Sequence, residues 1–335
     1  MTDNPTYHSP YHSGEIQVQR KLGTSEMAKK SARMITPGIP PGAISFIEKQ
    51  PMAIIGSLDL NGRVWTSVLL GLPGFIQVTG ESTIELHVNS LCLNKDDPLW
   101  QNIKHHPYIG MIIIETGSRR RLRINGRLNE TDHNKIEPNK LEPNKTNNNA
   151  TEYRYQVLID QAFPNCAKYI QKRHIKKAAL FQNKKHSADK TGEQLQTQQL
   201  QLISAADTFF VSSIYTDNSG TDKTLDTSHR GGTPGFIEIL NSRQLRIPDY
   251  PGNNLFNTLG NFLTNPRAGL VFIDFENKKL LQLSGQAKII WRIDNTSLKT
   301  AGSLRHWEFT VERWRESVIP FDIEWAFLQA SAFNP

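Results

Sequence analysis

Thr227-Ser228-His229-Arg230-Gly231-Gly232-Thr233-Pro234-Gly235-Phe236-Ile237 decides the fold, because the chain holds an earlier version of it. That version is Thr66-Ser67-Val68-Leu69-Leu70-Gly71-Leu72-Pro73-Gly74-Phe75-Ile76, with Thr-Ser, one glycine and Pro-Gly-Phe-Ile at the same places. A second frame repeats as well: Asn102, Pro107, Gly110, Leu122 and Gly126 recur as Asn261, Pro266, Gly269, Leu281 and Gly285. The offset is 161 residues in the first frame (66 to 227) and 159 in the second (102 to 261). Shared spacing over both frames predicts two copies of one β-rich unit, each about 110–140 residues long.

The 335 residues suffice for two cores of that size. With 37% hydrophobic and 21% charged residues, the composition suits a water-soluble chain with polar insertions. No apolar run reaches the roughly 18 residues that span a bilayer. Residues 1–14 have no apolar core of the secretory type. Cys92 and Cys166 are the two cysteines, which offers no disulfide framework and no Cys-pair metal spacing. The reading is a reducing, cytoplasmic compartment. A formal charge of +7 and a pI near 9.3 allow an anionic cofactor or substrate as readily as nucleic acid. Nucleic acid rests on charge alone, since no recognition motif or aromatic platform appears.

From residue 52 the apolar pattern takes the period of strands. Residues 52–58 and 63–70 flank Asp59-Leu60-Asn61-Gly62, whose Asn-Gly pair signals a hairpin turn. Further strands are read at 74–79, 83–88, 108–115, 120–128 and 153–160, with a helix over 97–105 that Pro98 opens and Pro107 follows. In the second unit the strands are 208–214, 225–229, 235–240, 244–247, 269–275 and 280–291, with a helix over 254–263. Short antiparallel strands in this number predict small barrels, which fill their own interiors. A ligand then sits outside a barrel or between two.

The domain reading follows. Residues 1–42 wrap the first domain, and 43–180 form the first barrel with a mobile polar insertion at 129–150 and a basic helical stretch at 165–177. Residues 181–199 are a polar linker and 200–292 the second barrel. Residues 293–335, carrying Trp307, Trp314, Trp325 and Phe327, are an aromatic segment packed across both units.

The two copies differ where chemistry could lie. Val68 and Leu69 in the first become His229 and Arg230 in the second, followed by Gly231-Gly232. Ser228, a basic pair and open glycine backbone match the needs of a phosphate: a hydroxyl, charge-assisted donors and close N–H approach. An exposed polar strand end beside a turn fits the same residues. Asp249-Tyr250-Pro251-Gly252-Asn253-Asn254 leads into the second helix, either as an anion-binding helix start or as a Pro-Gly turn with an Asn cap. His229 is an acid–base candidate or a hydrogen-bonded structural residue. Arg121, Arg123 and Arg127 share one strand face, either a solvated or interdomain surface or a groove for a second anion.

These segments carry a family resemblance. The chain resembles the pyridoxamine 5′-phosphate oxidase-related FMN-binding split-barrel proteins, and within them the two-barrel branch of flavin-nucleotide-binding proteins. The matching stretches are Tyr11-His12-Ser13-Gly14-Glu15, Gly62-Arg63-Val64-Trp65-Thr66-Ser67, residues 119–127, Pro164-Asn165-Cys166-Ala167-Lys168-Tyr169-Ile170, Ser228-His229-Arg230-Gly231-Gly232, and 249–254 with Asn261. The resemblance implies a mainly β chain of two tandem FMN-binding split β-barrels forming an intrachain pseudo-dimer, with FMN at their interface. It implies a cofactor-binding set of Thr227, Ser228, His229, Arg230, Gly231, Gly252, Asn253, Asn254 and Asn261, no metal, and no assigned catalytic residue. An FMN-dependent oxidoreductase with an unnamed small-molecule substrate or electron donor is the implied activity. A non-catalytic module for flavin or another anionic cofactor is the alternative, and a homodimer stays open. The first copy lacks the basic pair, which implies an empty or altered first site. Residues 304–335 lack the substrate-phosphate signature of true pyridoxamine phosphate oxidases, which points away from vitamin B6 oxidation.

Overall fold

The computed structural model describes residues 9–131, 151–180, 188–217, 219–220, 223–293 and 301–335. The insertion read at 129–150 lies outside the described residues from 132 onward, as does 181–187 of the linker read at 181–199.

Two helices come first, α1 (Ser13–Lys21) and α2 (Ser25–Ala32), and then α3 (Ile44–Glu48). A seven-stranded antiparallel sheet follows: β1 (Met52–Leu58), β2 (Val64–Leu70), β3 (Ile76–Gly80), β4 (Thr83–Asn89), then α4 (Pro98–His105), β5 (Tyr108–Glu115), β6 (Arg120–Glu130) and β7 (Glu152–Pro164). The turn between β1 and β2 is the one its Asn-Gly pair predicts: Gly62 takes φ +73° and Asp59 accepts from the Asn61 and Arg63 amides. Next come β8 (Lys172–Ala179), β9 (Lys190–Gly192) and α5 (Thr197–Ala205). The second sheet then runs β10 (Thr208–Thr216), β11 (Lys223–Gly231), β12 (Glu238–Asn241), β13 (Gln244–Pro248), α6 (Asn257–Thr264), β14 (Arg267–Asp274), β15 (Lys279–Ile290) and β16 (His306–Val318), before β17 (Asp322–Gln329).

Strand order is β2-β1-β5-β6-β7-β4-β3 in the first sheet and β11-β10-β14-β15-β16-β13-β12 in the second, one topology used twice. Register agrees with it. Ser67 faces Ile55 in the first copy as Ser228 faces Val211 in the second. A β-bulge falls between Asn125 and Gly126 and again between Ser284 and Gly285. Both glycines are needed there, since a Cβ on Gly126 would stand 2.1 Å from the Leu158 carbonyl and one on Gly285 2.0 Å from that of Thr310. The chain is therefore a mainly β protein built by tandem duplication of one barrel.

Each barrel has its own core, and a third apolar cluster joins them. Ala53 and Ile55 of β1 enter the first core, whereas Met52 and Ile54 meet Phe210, Val271 and Ile273 of the second barrel. β1 and β2 are buried on both faces for this reason, and β1 shows no polar alternation. The pairing is reciprocal: β5 packs on β11 as β14 packs on β2. No helix among the described residues is long and apolar enough to cross a membrane.

Four segments depart from the sequence reading. Residues 1–42, read as wrapping the first domain, send α1 onto α6 of the second barrel. A Cβ on Gly14 would lie 2.1 Å from the Gly260 carbonyl, and Val18 enters the second core. The chain then returns to the first sheet, where Thr36 bridges Ala162. Residues 165–177, read as a basic helix, contribute β8, because β17 pairs with it from the far end of the chain. Within the aromatic segment read at 293–335, residues 306–318 are the seventh strand of the second sheet. Trp307, Phe309 and Val311 alternate into its core, a period of two that marks a strand. β9, inside the stretch read as linker, pairs with β16.

Candidate functional site

β11 runs along the barrel interface, so its last residues face the other copy. His229, Arg230 and Gly231 form one side of a cleft of about 80 Å³. Pro248 at the end of β13, Tyr250, Gly252 and Asn253 from the loop before α6, and Phe236 form the second. The first barrel supplies the rest: Ile112 of β5, Arg121 of β6, and residues 165, 166 and 168–170 beyond β7. Asn253 Nδ2 donates to Asn165 Oδ1 at 2.9 Å, tying the two loops together. Tyr169 and Tyr250 stand with ring centroids 4.8 Å apart. Tyr169 takes φ +65°, and its hydroxyl donates to the Pro251 carbonyl at 3.2 Å. Its own carbonyl fills the space over Gly231, where a Cβ would lie 2.1 Å away. Gly231 thus admits a protein carbonyl rather than a ligand.

The cleft is cationic. Arg121, Lys168 and Arg230 line it, and among the described residues no carboxylate lies within ion-pair distance of Arg121 or Arg230. Two neighbouring arginines are already neutralised: Arg173 bonds both oxygens of Asp207 at 2.8 and 2.7 Å, and Arg123 bonds Asp226 at 2.6 Å. Asp249 is likewise engaged by Arg305 at 3.0 Å. Three polar atoms of the cleft residues are buried without a partner, Arg121 Nε, His229 Nε2 and Arg230 Nε. Burial pulls Arg230 down, Asp249 offsets part of that, and Arg123 adds repulsion. Burial also lowers Arg121. Desolvated cations without an ion-pair partner favour an anion in their midst.

The same field acts on His229. Burial first, then the charges of Arg230, Arg173 and Arg121, push its imidazole down to about 3. It is neutral at ordinary pH and has no proton to give as an imidazolium. Tyr250 goes the other way, up to about 12 through burial. Neither group is poised near neutrality for acid–base work.

The structure brings together five of the nine residues proposed from sequence: His229, Arg230, Gly231, Gly252 and Asn253. The other four stand apart. Thr227 is buried between the barrels, its hydroxyl on the Gly110 carbonyl at 2.6 Å. Ser228, 1% exposed, faces α6 and receives a 3.3 Å bond from Thr258 Oγ1. Asn254 takes φ +61° in the loop and is not a lining residue. Asn261, 0% exposed, donates to Ser213 at 2.9 Å and accepts from His12 Nε2 at 2.8 Å. Its counterpart Asn102 bonds Ser57 at 2.9 Å, so this asparagine pins the helix to the first strand in both copies. Arg121 was visible only as one member of an arginine-rich face; the twofold packing turns it toward Arg230, while Arg127 stays exposed beside Asp160.

No family model matches the chain, and no curated protein matches it. Solved structures do. A candidate pyridoxamine 5′-phosphate oxidase from Lactobacillus delbrueckii is 12% identical, covering 37% of this chain and 94% of its own, at a TM-score of 0.28. HutZ, the haem storage protein of Vibrio cholerae, is 11% identical over 38% of this chain and 94% of its own, at 0.26. An FAD-binding protein from Mesorhizobium loti is 9% identical over 39% and 99%, at 0.25.

Proposed function

We propose that the chain is a flavin-nucleotide-binding protein that takes the phosphate of FMN into the Arg230 cleft. The observation that carries this reading is the convergence of Arg121 and Arg230, from opposite barrels, on one small cleft with their Nε atoms buried and unpartnered. A dianionic phosphate satisfies both with charge-assisted bonds, and the Asn253 amide is within the same lining. The cleft volume of about 80 Å³ is several times the roughly 10–15 Å³ that one water needs, which leaves room for a phosphate group. A flavin ring is larger than this cleft, which Tyr169 and Tyr250 also line.

Bound FMN would supply hydride or electron transfer, and the substrate and electron donor are open. The chain's own part is charge, orientation and exclusion of water. The depressed His229 favours a second reading, a module that holds the flavin without proton transfer. Fluorescence titration of the apoprotein with FMN and with riboflavin tests the phosphate site. Wild type prefers FMN. Arg230→Ala and Arg121→Ala each lose roughly ten- to a hundred-fold in FMN affinity, the equivalent of a charge-assisted contact of about 1.5–3 kcal/mol. Arg127→Ala changes little. Equal affinity of wild type for the two ligands would refute it.

A further inference from the structure

The Arg230 cleft holds a thiol. Cys166 lines it together with Arg121, Lys168 and Arg230, and among the described residues no carboxylate is part of that lining. Cys166 is free and half-buried. The other free cysteine, Cys92, is 5% exposed and packed in the apolar cluster that joins the barrels.

The chain around this sulfur is pinned. The Cys166 amide donates to Asn165 Oδ1 at 2.8 Å, the oxygen that also accepts from Asn253. The Tyr169 amide donates to Ser331 Oγ at 3.2 Å, and Lys168 Nζ sits 5.4 Å from the centre of the Phe333 ring. Arg121, lowered by burial, is raised in part by the charge of Cys166, so sulfur and guanidinium lie within each other's field. Arg121 Nε and Arg230 Nε are buried and unpartnered in the same lining, as is His229 Nε2. A cleft of one charge sign concentrates ions of the opposite sign by about ten-fold or more. The thiolate is the attacking form of cysteine, and here an anionic electrophile is drawn to it while a cationic one is repelled.

We infer that Cys166 is a modification site for small anionic disulfides, and that the mixed disulfide it forms fills the cleft and shuts out phosphate. In this exchange the Cys166 sulfur gives its proton to solvent and attacks one sulfur of the disulfide. A new S–S bond forms as the old one breaks, and the leaving thiolate takes up a proton. Cys166 is oxidised and the small disulfide reduced, with no further oxidant required. The exclusion of phosphate rests on the cleft being the phosphate site proposed above; the charge selectivity of the thiol does not.

Iodoacetate and iodoacetamide alkylate the same thiolate and differ in charge, so the ratio of their rates reads the field at the sulfur and cancels its exposure and ionisation. The full chain is labelled folded and in urea, with mass spectrometry locating the label. Folded protein should take the label on Cys166 before Cys92, at an iodoacetate-to-iodoacetamide ratio about ten-fold above that of the unfolded chain. Arg121→Ala and Arg230→Ala should each lower the ratio, and Arg127→Ala, on an exposed part of the same strand as Arg121, should leave it unchanged. If the first two do not fold, added salt serves on wild type and should bring the ratio toward the unfolded value. Glutathione disulfide, an anion, should modify folded Cys166 faster than the cationic disulfide cystamine, each rate taken relative to the unfolded chain. Equal ratios in folded and unfolded protein, or a preference for cystamine, overturn the inference. Fluorescence titration of the glutathione-modified protein with FMN then judges the exclusion: lost affinity supports it and unchanged affinity refutes it. If unmodified wild type binds no FMN, the flavin reading and the exclusion fall together, while the alkylation ratio still judges Cys166.

Discussion

The Thr227 hydroxyl donates to the Gly110 carbonyl at 2.6 Å, and Thr66 repeats the contact on Gly269 at 2.8 Å. Each bond crosses from one barrel to the other, and each uses the Thr of the repeated Thr-Ser pair. The glycines let the strands approach: a Cβ on Gly110 would stand 2.6 Å from the Leu225 carbonyl, and one on Gly269 2.7 Å from that of Val64. Ser212 joins the two clasps, 2.8 Å from both threonine hydroxyls.

Thr227→Val keeps the shape and leaves a buried carbonyl without its donor. The expected loss is about 1–3 kcal/mol, with a similar loss for Thr66→Val. Because Ser212 links them, the double variant should depart from additivity. Urea denaturation of the four proteins measures it, and additive losses would show that the clasps act separately.

Gly110→Ala tests the close approach itself. The methyl group meets backbone, which cannot rotate away, so destabilisation of about 1–3 kcal/mol is expected. Gly42→Ala is the control, having nothing within 4 Å of its ideal Cβ, and should stay within about 0.5 kcal/mol of wild type. Thermal unfolding of the two variants side by side separates the cases.

His229 should give an imidazole NMR signal fixed at the neutral position across about pH 5–8, where ordinary histidines titrate. Its folded value, about 3, lies below the usual 6.5, so the unfolded chain takes up the proton first. The stability contribution is complete above 6.5 and is lost as pH falls toward about 3. An anion in the cleft offsets the arginine charges and should raise the midpoint. A midpoint near 6.5 in the ligand-free protein would contradict the cationic field.

Glu15 behaves in the opposite sense. It is buried on α1 against α6, accepts from the His12 amide at 2.9 Å and from the Asn257 amide group, and is raised well above 4.5 by burial and then by Asp226. The folded state therefore holds the proton more tightly than the unfolded chain. Its contribution is complete below about 4.5 and disappears as pH rises through the elevated value. Glu15→Gln removes that dependence. The melting temperature of wild type should fall relative to the variant between acidic and neutral pH, and parallel profiles would refute the shift.

Much of the fold was legible in the order of residues. Alternation and turn chemistry are local, so the Asn61-Gly62 hairpin, β5 and the helix behind Asp97-Pro98 could be read directly. The repeated frames survive because Gly126 and Gly285 each sit at a bulge where backbone closes on them, and Thr66 and Thr227 each clasp a glycine carbonyl. The basic pair His229-Arg230 could likewise be picked out as the place where the copies diverge. Proximity in space could not. β8 pairs with a strand some 150 residues later in the chain (179 to 322), α1 docks on a helix of the opposite barrel, and β16 completes a sheet begun about 100 residues before it (208 to 306). The sequence by itself determined two copies of a β unit and a charged difference between them. Tertiary structure alone decided that Arg121 and Arg230 line one cleft and that Thr227 and Asn261 serve the framework, because each depends on how two curved sheets pack face to face.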